Sequence, residues 1–233
     1  MHTYLYNQLS QYIKGIYVLN NNVQGYKHCK RVVSTAIDIV NIDYNANELY
    51  ESILPITIIC AWLHDIYDEK SDFNEEIKVG LSKMLQDSKI PLFIIDQVIK
   101  IINHISFSKE REVLEQEYYE LWKKGLNDFE WLIRDIVSDA DKLDSMGYRG
   151  VKRCIGYIVN KTGIKVNEEN RHTILLELLD HMEERLLCLR YHYIKTKEGK
   201  KRSITLHDQM IEFLIKLIEN PSACDFLFLE QMN

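Results

Sequence analysis

Residues 53–68 read ILPITIICAWLHDIYD, an apolar run that closes on a histidine and an aspartate. The run from Ile53 to Leu63 is about half of the roughly 20 apolar residues that a membrane-spanning helix needs, and Pro55 and Thr57 interrupt it. It is expected as a helix of the protein interior that breaks after Leu63, leaving His64-Asp65 at its end. Outward from it, apolar residues recur at helical spacing: Leu5, Leu9, Ile13 and Ile16; Val32, Val33, Ala36, Ile37 and Val40; Ile174, Leu175, Leu178, Leu179, Met182, Leu186 and Leu189. Breaks are expected at Asn20-Asn21-Asn22, Ile42 to Asn47, Ser71 to Asn74, Ser88 to Pro91, Gly125-Leu126-Asn127, Lys161 to Asn170 and Thr196 to Lys201. With 9 Gly and 3 Pro, the chain lacks the turn punctuation of an all-β domain of this size. The expected class is all-α.

Composition narrows the function classes. The chain has 233 residues, 46% hydrophobic and 27% charged, which is ordinary for a globular protein. Its 29 Lys and Arg stand against 35 Asp and Glu, a net −6, so the footprint of a long nucleic acid or an anionic membrane as partner is missing. Five cysteines, odd in number and without a CxxC pair, suggest neither a disulfide framework nor a thiolate zinc site. The N-terminus lacks the pattern of a signal peptide, so a cytoplasmic protein is expected. Two charged stretches stand out. Lys109 to Lys124 has few core positions and reads as a protruding, solvated helix, and the basic run Lys195 to Arg202 reads as a flexible surface loop.

His64-Asp65 means little alone, since His207-Asp208 repeats the dipeptide. What distinguishes it is its company: His28, Asp68 and Lys70, Asn103-His104, and the acidic run Asp139-Ala140-Asp141-Lys142-Leu143-Asp144. Imidazole and carboxylate together suit first-row metals such as Mn, Fe, Co, Ni or Zn better than Ca or Mg, and two neutral His with two Asp formally balance a 2+ ion. Adjacent helical residues point about 100° apart, so His64 and Asp65 share an ion only at a helix end facing ligands from other helices. The break after Leu63 supplies that end.

The pattern His28-Cys29-Lys30-Arg31-Val32, Trp62-Leu63-His64-Asp65-Ile66-Tyr67-Asp68 and Ser138-Asp139-Ala140-Asp141-Lys142-Leu143-Asp144-Ser145-Met146-Gly147 resembles the HD-domain superfamily of metal-dependent phosphohydrolases. It is most similar to a bacterial branch of predicted hydrolases, some of which look like nucleoside-triphosphate pyrophosphohydrolases. Residues 139–153, DADKLDSMGYRGVKR, carry the most specific part, and His104-Ile105-Ser106-Phe107-Ser108 matches a further segment of that branch. Coverage runs from about Tyr26 to Tyr157. Lys142 stands where the family usually has Arg, Lys109 to Ile136 is longer than the corresponding segment, and the usual Arg-containing C-terminal helix is not clearly matched around Leu206 to Met210.

The resemblance implies an HD-domain helical bundle over residues 1–233, with C-terminal helices from 170 to 233 packed on the motif core. It implies that His28, His64, Asp65 and Asp141 hold a divalent transition metal (Mn, Co, Ni, Fe or Zn, with Mg allowed) that activates water against a phosphoryl group. Asp139 and Asp144 compete with Asp141, which is preferred for its motif position; Asp139 is then an outer acceptor fixing an imidazole tautomer, and Asp144 a helix-surface or capping residue. Asp68 is the candidate general base, or else a cap of the next helix. Lys70, His104, Lys142 and Arg153 are candidate phosphate contacts. The expected partner is a small phosphorylated substrate, a nucleotide above all, with a homodimer allowed. Pyrophosphate release from a nucleoside triphosphate is the favoured reaction. Phosphomonoester or cyclic phosphodiester hydrolysis and a non-catalytic metal- or nucleotide-binding regulatory module are the alternatives.

Overall fold

The computed structural model describes residues 2–67, 73, 75–115, 119–163 and 171–219. Among these there are α-helices and two π-helical turns but no strand, so the chain is all-α. It divides into two compact units, Met1–Ala140 and Asp141–Asn233.

In the first unit α1 (His2–Leu19), α2 (Val23–Asp43) and α3 (Tyr50–Leu63) pack on one another, and α3 also packs on α5 (Leu92–Ile102). Their contact faces are the ones spelled by the period: Leu5, Leu9, Ile13 and Ile16 from α1, and Val32, Val33, Ala36, Ile39 and Val40 from α2, are all buried. The Asn triplet separates the two helices by side-chain chemistry. Asn21 takes a left-handed φ of 53°, and Asn22 caps α2 by accepting from the Gly25 N–H at 2.9 Å. Helix α3 is apolar all round and buried from Ile56 to Leu63, as a helix enclosed on every side must be. It stops after Leu63, where Ile66 and Tyr67 both donate back to the Leu63 carbonyl.

The unit continues through α4 (Glu75–Asp87), α6 (Phe107–Glu115), α7 (Tyr119–Lys123) and the start of α8 (Asp128–Asp144). A capping box opens α8: Asn127 Oδ1 accepts from the Glu130 N–H at 2.9 Å, and Glu130 Oε2 accepts from the Asn127 N–H at 2.9 Å. Lys100 Nζ adds a bond of 2.8 Å to the same carboxylate. Burial alone would push the Glu130 carboxyl up, but these donors outweigh it and hold it below the usual glutamate range. A folded value below the unfolded one gives stability that is complete above about pH 4.3 and is lost as pH falls through the depressed value. Glu130→Gln keeps the box and removes the charge. It should lower stability by about 1 kcal/mol at neutral pH, with the deficit vanishing in strong acid, as read by urea midpoints along a pH series.

In the second unit α9 (Gly147–Thr162) packs on α10 (Arg171–His181) and on α11 (Lys197–Glu219). Gly147 begins α9 at a φ of +68°, where a Cβ would meet Gln209 Oε1 at 2.6 Å. Helix α10 gives way to two π-helical turns, Met182–Leu186 and Leu189–Tyr193. The basic run is not a loop: Lys197 to Arg202 form the first turns of α11. Thr196 Oγ1 accepts from the Gly199 N–H at 3.1 Å, and the buried Glu198 carboxylate binds Arg202 Nε at 2.8 Å. An acidic group in the first turn suits the helix dipole and offsets the lysines around it. Charge counting along the sequence hides this, because the one acid of the run carries the helix start.

Candidate metal centre

Helix α2 carries His28 one and a half turns from its start, and the break after α3 carries His64 and Asp65. The three meet. One ligand atom from each lies within 4.8 Å of the others, with both histidines buried and Asp65 half-exposed. Asp65 reaches both rings: Oδ1 is 3.3 Å from His64 Nε2 and Oδ2 is 3.5 Å from His28 Nε2. The rings are 5.5 Å apart at 61°, edge to face.

His64 Nδ1 sits 2.9 Å from the Ala61 carbonyl oxygen. A carbonyl only accepts, so the ring proton is on Nδ1 and Nε2 presents a lone pair to the Asp65 carboxylate. A lone pair and a carboxylate facing one another at this distance call for a cation between them. Two imidazoles and a carboxylate are a donor set for a first-row transition metal. The residues therefore fit a divalent ion, with one end of the helix supplying two ligands and a second helix the third.

Two residues beside this cluster carried no motif signal of their own. Cys29 Sγ lies 3.8 Å from Asp65 Oδ2, and the buried Tyr17 hydroxyl lies 3.2 Å from Cys29 Sγ. Burial, then the neighbouring Cys29 and Asp65, raise the Tyr17 hydroxyl far above its ordinary pKa, so it remains a neutral hydrogen-bonding group. The chain Tyr17, Cys29, Asp65 holds the back of the carboxylate. Only the position of Cys29 next to His28 could have suggested it.

The other candidate residues fall into three groups. Asp68 and Lys70 lie outside the described residues. His104 is in the first unit, its Nδ1 on the Lys100 carbonyl at 2.8 Å and its ring against Trp122 and Trp131. Burial lowers its pKa, the Lys100 bond opposes this, and Arg134, Lys100 and Lys109 lower it further. It is neutral near pH 7, and donates from Nε2 only when protonated. In the second unit Asp141 is half-buried near the end of α8, and Lys142 is buried with its Nζ 6.0 Å from the Tyr193 ring centre. Asp144 is not a surface or capping residue: its carboxylate is 3% exposed and binds Arg149 at 3.1 Å and Arg153 at 3.2 Å. An acid three residues after the motif aspartate is thus the anchor for two arginines of the same stretch, which spacing alone does not reveal.

No family model matches the sequence, and no curated protein matches it. Solved structures do. A selenomethionine form of Bacillus subtilis YpgQ is similar over 94% of this chain and 97% of its own, at 22% identity and a TM-score of 0.67. An HD-superfamily hydrolase from Bacillus thuringiensis is similar over 96% of this chain and all of its own, at 20% identity and a TM-score of 0.65. The fold is that of an HD-superfamily hydrolase. A second YpgQ structure, in complex with ADP, covers 94% of this chain at 19% identity and a TM-score of 0.64. Among the described residues no helix is long and apolar enough to cross a membrane.

Proposed function

We propose that this protein is a cytoplasmic, metal-dependent phosphohydrolase acting on a nucleotide, with pyrophosphate release from a nucleoside triphosphate as its reaction. The observation that carries this reading is the convergence of His28, His64 and Asp65 with the His64 tautomer set for ligation. The HD-superfamily fold supports hydrolysis, and the ADP bound to a protein of the same fold supports a nucleotide.

In this reading His28, His64, Asp65 and Asp141 hold Mn, Co, Ni, Fe, Zn or Mg. The bound ion supplies Lewis acidity and a water whose pKa is brought toward neutrality. Ala61, through its carbonyl, keeps the His64 lone pair on Nε2. Asp68 accepts the proton of the attacking water. Lys70, Lys142 and Arg153 take the phosphate oxygens, His104 joins them only when its Nε2 is protonated, and Asp144 sets the direction of Arg153. A lysine at 142 grips as a point charge where an arginine would form a planar fork.

The test is a panel of nucleoside tri-, di- and monophosphates and cyclic nucleotides, each with Mn, Co, Ni and Mg, reading pyrophosphate and phosphate separately. Pyrophosphate from a triphosphate in the presence of a transition metal is the expected result. Phosphate alone from monophosphates would replace it with a phosphomonoesterase, and opening of a cyclic nucleotide with a phosphodiesterase. Nucleotide binding with no turnover under any metal would make the protein a regulatory module and overturn the enzyme.

A further inference from the structure

The second unit contains a cavity of about 270 Å³. One wall is a face of α9, where Arg153, Cys154 and Tyr157 follow one another at helical spacing, and the facing wall carries His181 and Leu186. That second wall lies where α10 ends and the first π-helical turn, Met182–Leu186, begins. π-Turns are rare and concentrate at functional sites, where the extra residue re-aims side chains. Ser145 completes the rim toward α8, and its N–H donates to the Asp141 carbonyl at 3.2 Å. The cavity therefore opens one helical turn from the proposed ligand Asp141.

Its chemistry is selective. The Tyr157 and His181 rings lie 6.0 Å apart at 37°, two aromatic faces on one opening. Tyr157 is 56% exposed, so its ring is accessible. Arg153, held 3.2 Å from the Asp144 carboxylate, brings a guanidinium to the wall, and no carboxylate is among the described residues that line the cavity. Burial, then the nearby Arg185 and Lys161, lower the His181 pKa, so near pH 7 it offers a neutral ring face. The Cys154 thiol is pushed up to about 11 by burial, against the opposing pull of Arg153 and Arg185. It is a thiol at neutral pH and forms apolar wall with Leu186; it is no nucleophile. The volume falls just below the roughly 300–1,000 Å³ of drug-sized ligand pockets, room for one planar ring system and its attached group.

We infer that this cavity is a subsite for the base of a nucleotide, with Tyr157 and His181 as its stacking faces and Arg153 beside the attached phosphate. The choice of a nucleotide as occupant rests on the phosphohydrolase reading; the aromatic and cationic character of the walls does not. Calorimetric titration of the full-length, metal-free protein with adenosine diphosphate, ribose 5-phosphate and pyrophosphate tests it without turnover. Wild type should bind the diphosphate roughly tenfold more tightly than ribose 5-phosphate beyond what the second phosphate adds, which the pyrophosphate titration gauges, and this further preference is what base–aromatic stacking supplies. Tyr157→Ala and His181→Ala should each remove most of that preference while leaving ribose 5-phosphate and pyrophosphate within about twofold of wild type. Tyr157→Phe, which keeps the ring, should restore it. Equal diphosphate affinity in wild type and Tyr157→Ala overturns the subsite, as does an equal loss for all three probes. The two readings separate: Tyr157-dependent binding in a protein that hydrolyses no nucleotide keeps the subsite and removes the hydrolase, whereas nucleotide hydrolysis with Tyr157→Ala binding unchanged does the reverse.

Discussion

His64→Ala and Asp65→Ala are each expected to abolish metal binding and turnover, whereas His207→Ala should leave both intact. The two His-Asp dipeptides are identical in sequence and differ in surroundings. His64 and Asp65 sit at a helix end where a third donor, His28, comes within 4.8 Å. His207 lies within α11, buried, with its Nδ1 lacking a hydrogen-bond partner and its ring 5.2 Å from Tyr191, edge to face. Asp208 is 69% exposed and only 4.0 Å from Arg190, so that pair turns its two side chains to different environments. Loss of a partner that merely orients a metal ligand costs about 10- to 100-fold in affinity or activity, so loss of a ligand should exceed roughly 100-fold. Equilibrium dialysis with Mn or Co gives the metal stoichiometry. Thermal unfolding gives a second readout, because a ligand at about 100 times its Kd stabilises the folded state by about 2.7 kcal/mol. Wild type and His207→Ala should show that gain and His64→Ala should not. A metal-induced gain in His64→Ala, or its loss in His207→Ala, would mean that the ion binds elsewhere.

The contrast between the dipeptides also marks what is legible in a sequence of this kind. Helical period identified α1 and α2 and a continuous apolar run identified α3, and their ends are written in short-range chemistry: Asn21 and Asn22 between the first two, and the stop after Leu63 in the third. The family resemblance grouped His28, His64 and Asp65 as ligands, and the fold does bring these three together. Side-chain partnerships across the chain left no such trace. Asp144 read as a surface acid, yet two arginines of the next helix neutralise it. The run from Lys195 to Arg202 read as a loop because its lysines outnumber its acid, whereas Thr196 and Glu198 start a helix there. The π-turns after His181 arise from how the helix packs, and no local residue pattern marks them.

Arg134 is the clearest case of a residue that sequence reading passes over, and replacing it should have the largest effect on stability. The stretch Lys109 to Lys124 looks solvated, but it forms two short helices, and Glu110 in the first is 1% exposed. Its partner is Arg134 of α8, also 1% exposed, with Nη2 2.7 Å from Glu110 Oε2. The same guanidinium binds Asp135 Oδ1 at 3.0 Å and the His104 carbonyl at 2.8 Å, and lies 5.1 Å and 5.5 Å from the ring centres of Trp122 and Trp131. Burial alone would lower the arginine pKa, but Glu110 and then Asp135 outweigh it and raise the value. The pair is charged and dry. Removing one partner leaves a buried charge unmatched, so Arg134→Met and Glu110→Leu should each destabilise by about 3–5 kcal/mol. Against a total stability of about 5–15 kcal/mol, either change takes a large share. The double variant should recover most of the loss, since two apolar side chains of similar volume need no countercharge. Arg134→Lys should not rescue, because one ammonium cannot face three acceptors and lie against two indole rings at once. Urea unfolding in low salt and in about 1 M salt separates this from a surface pair: a buried pair's coupling persists when the Debye length shrinks to about 3 Å, and an exposed pair's does not. Single variants within about 1 kcal/mol of wild type, or a coupling that salt removes, would place this ion pair in contact with water and return α6 to the solvated helix that its composition suggests.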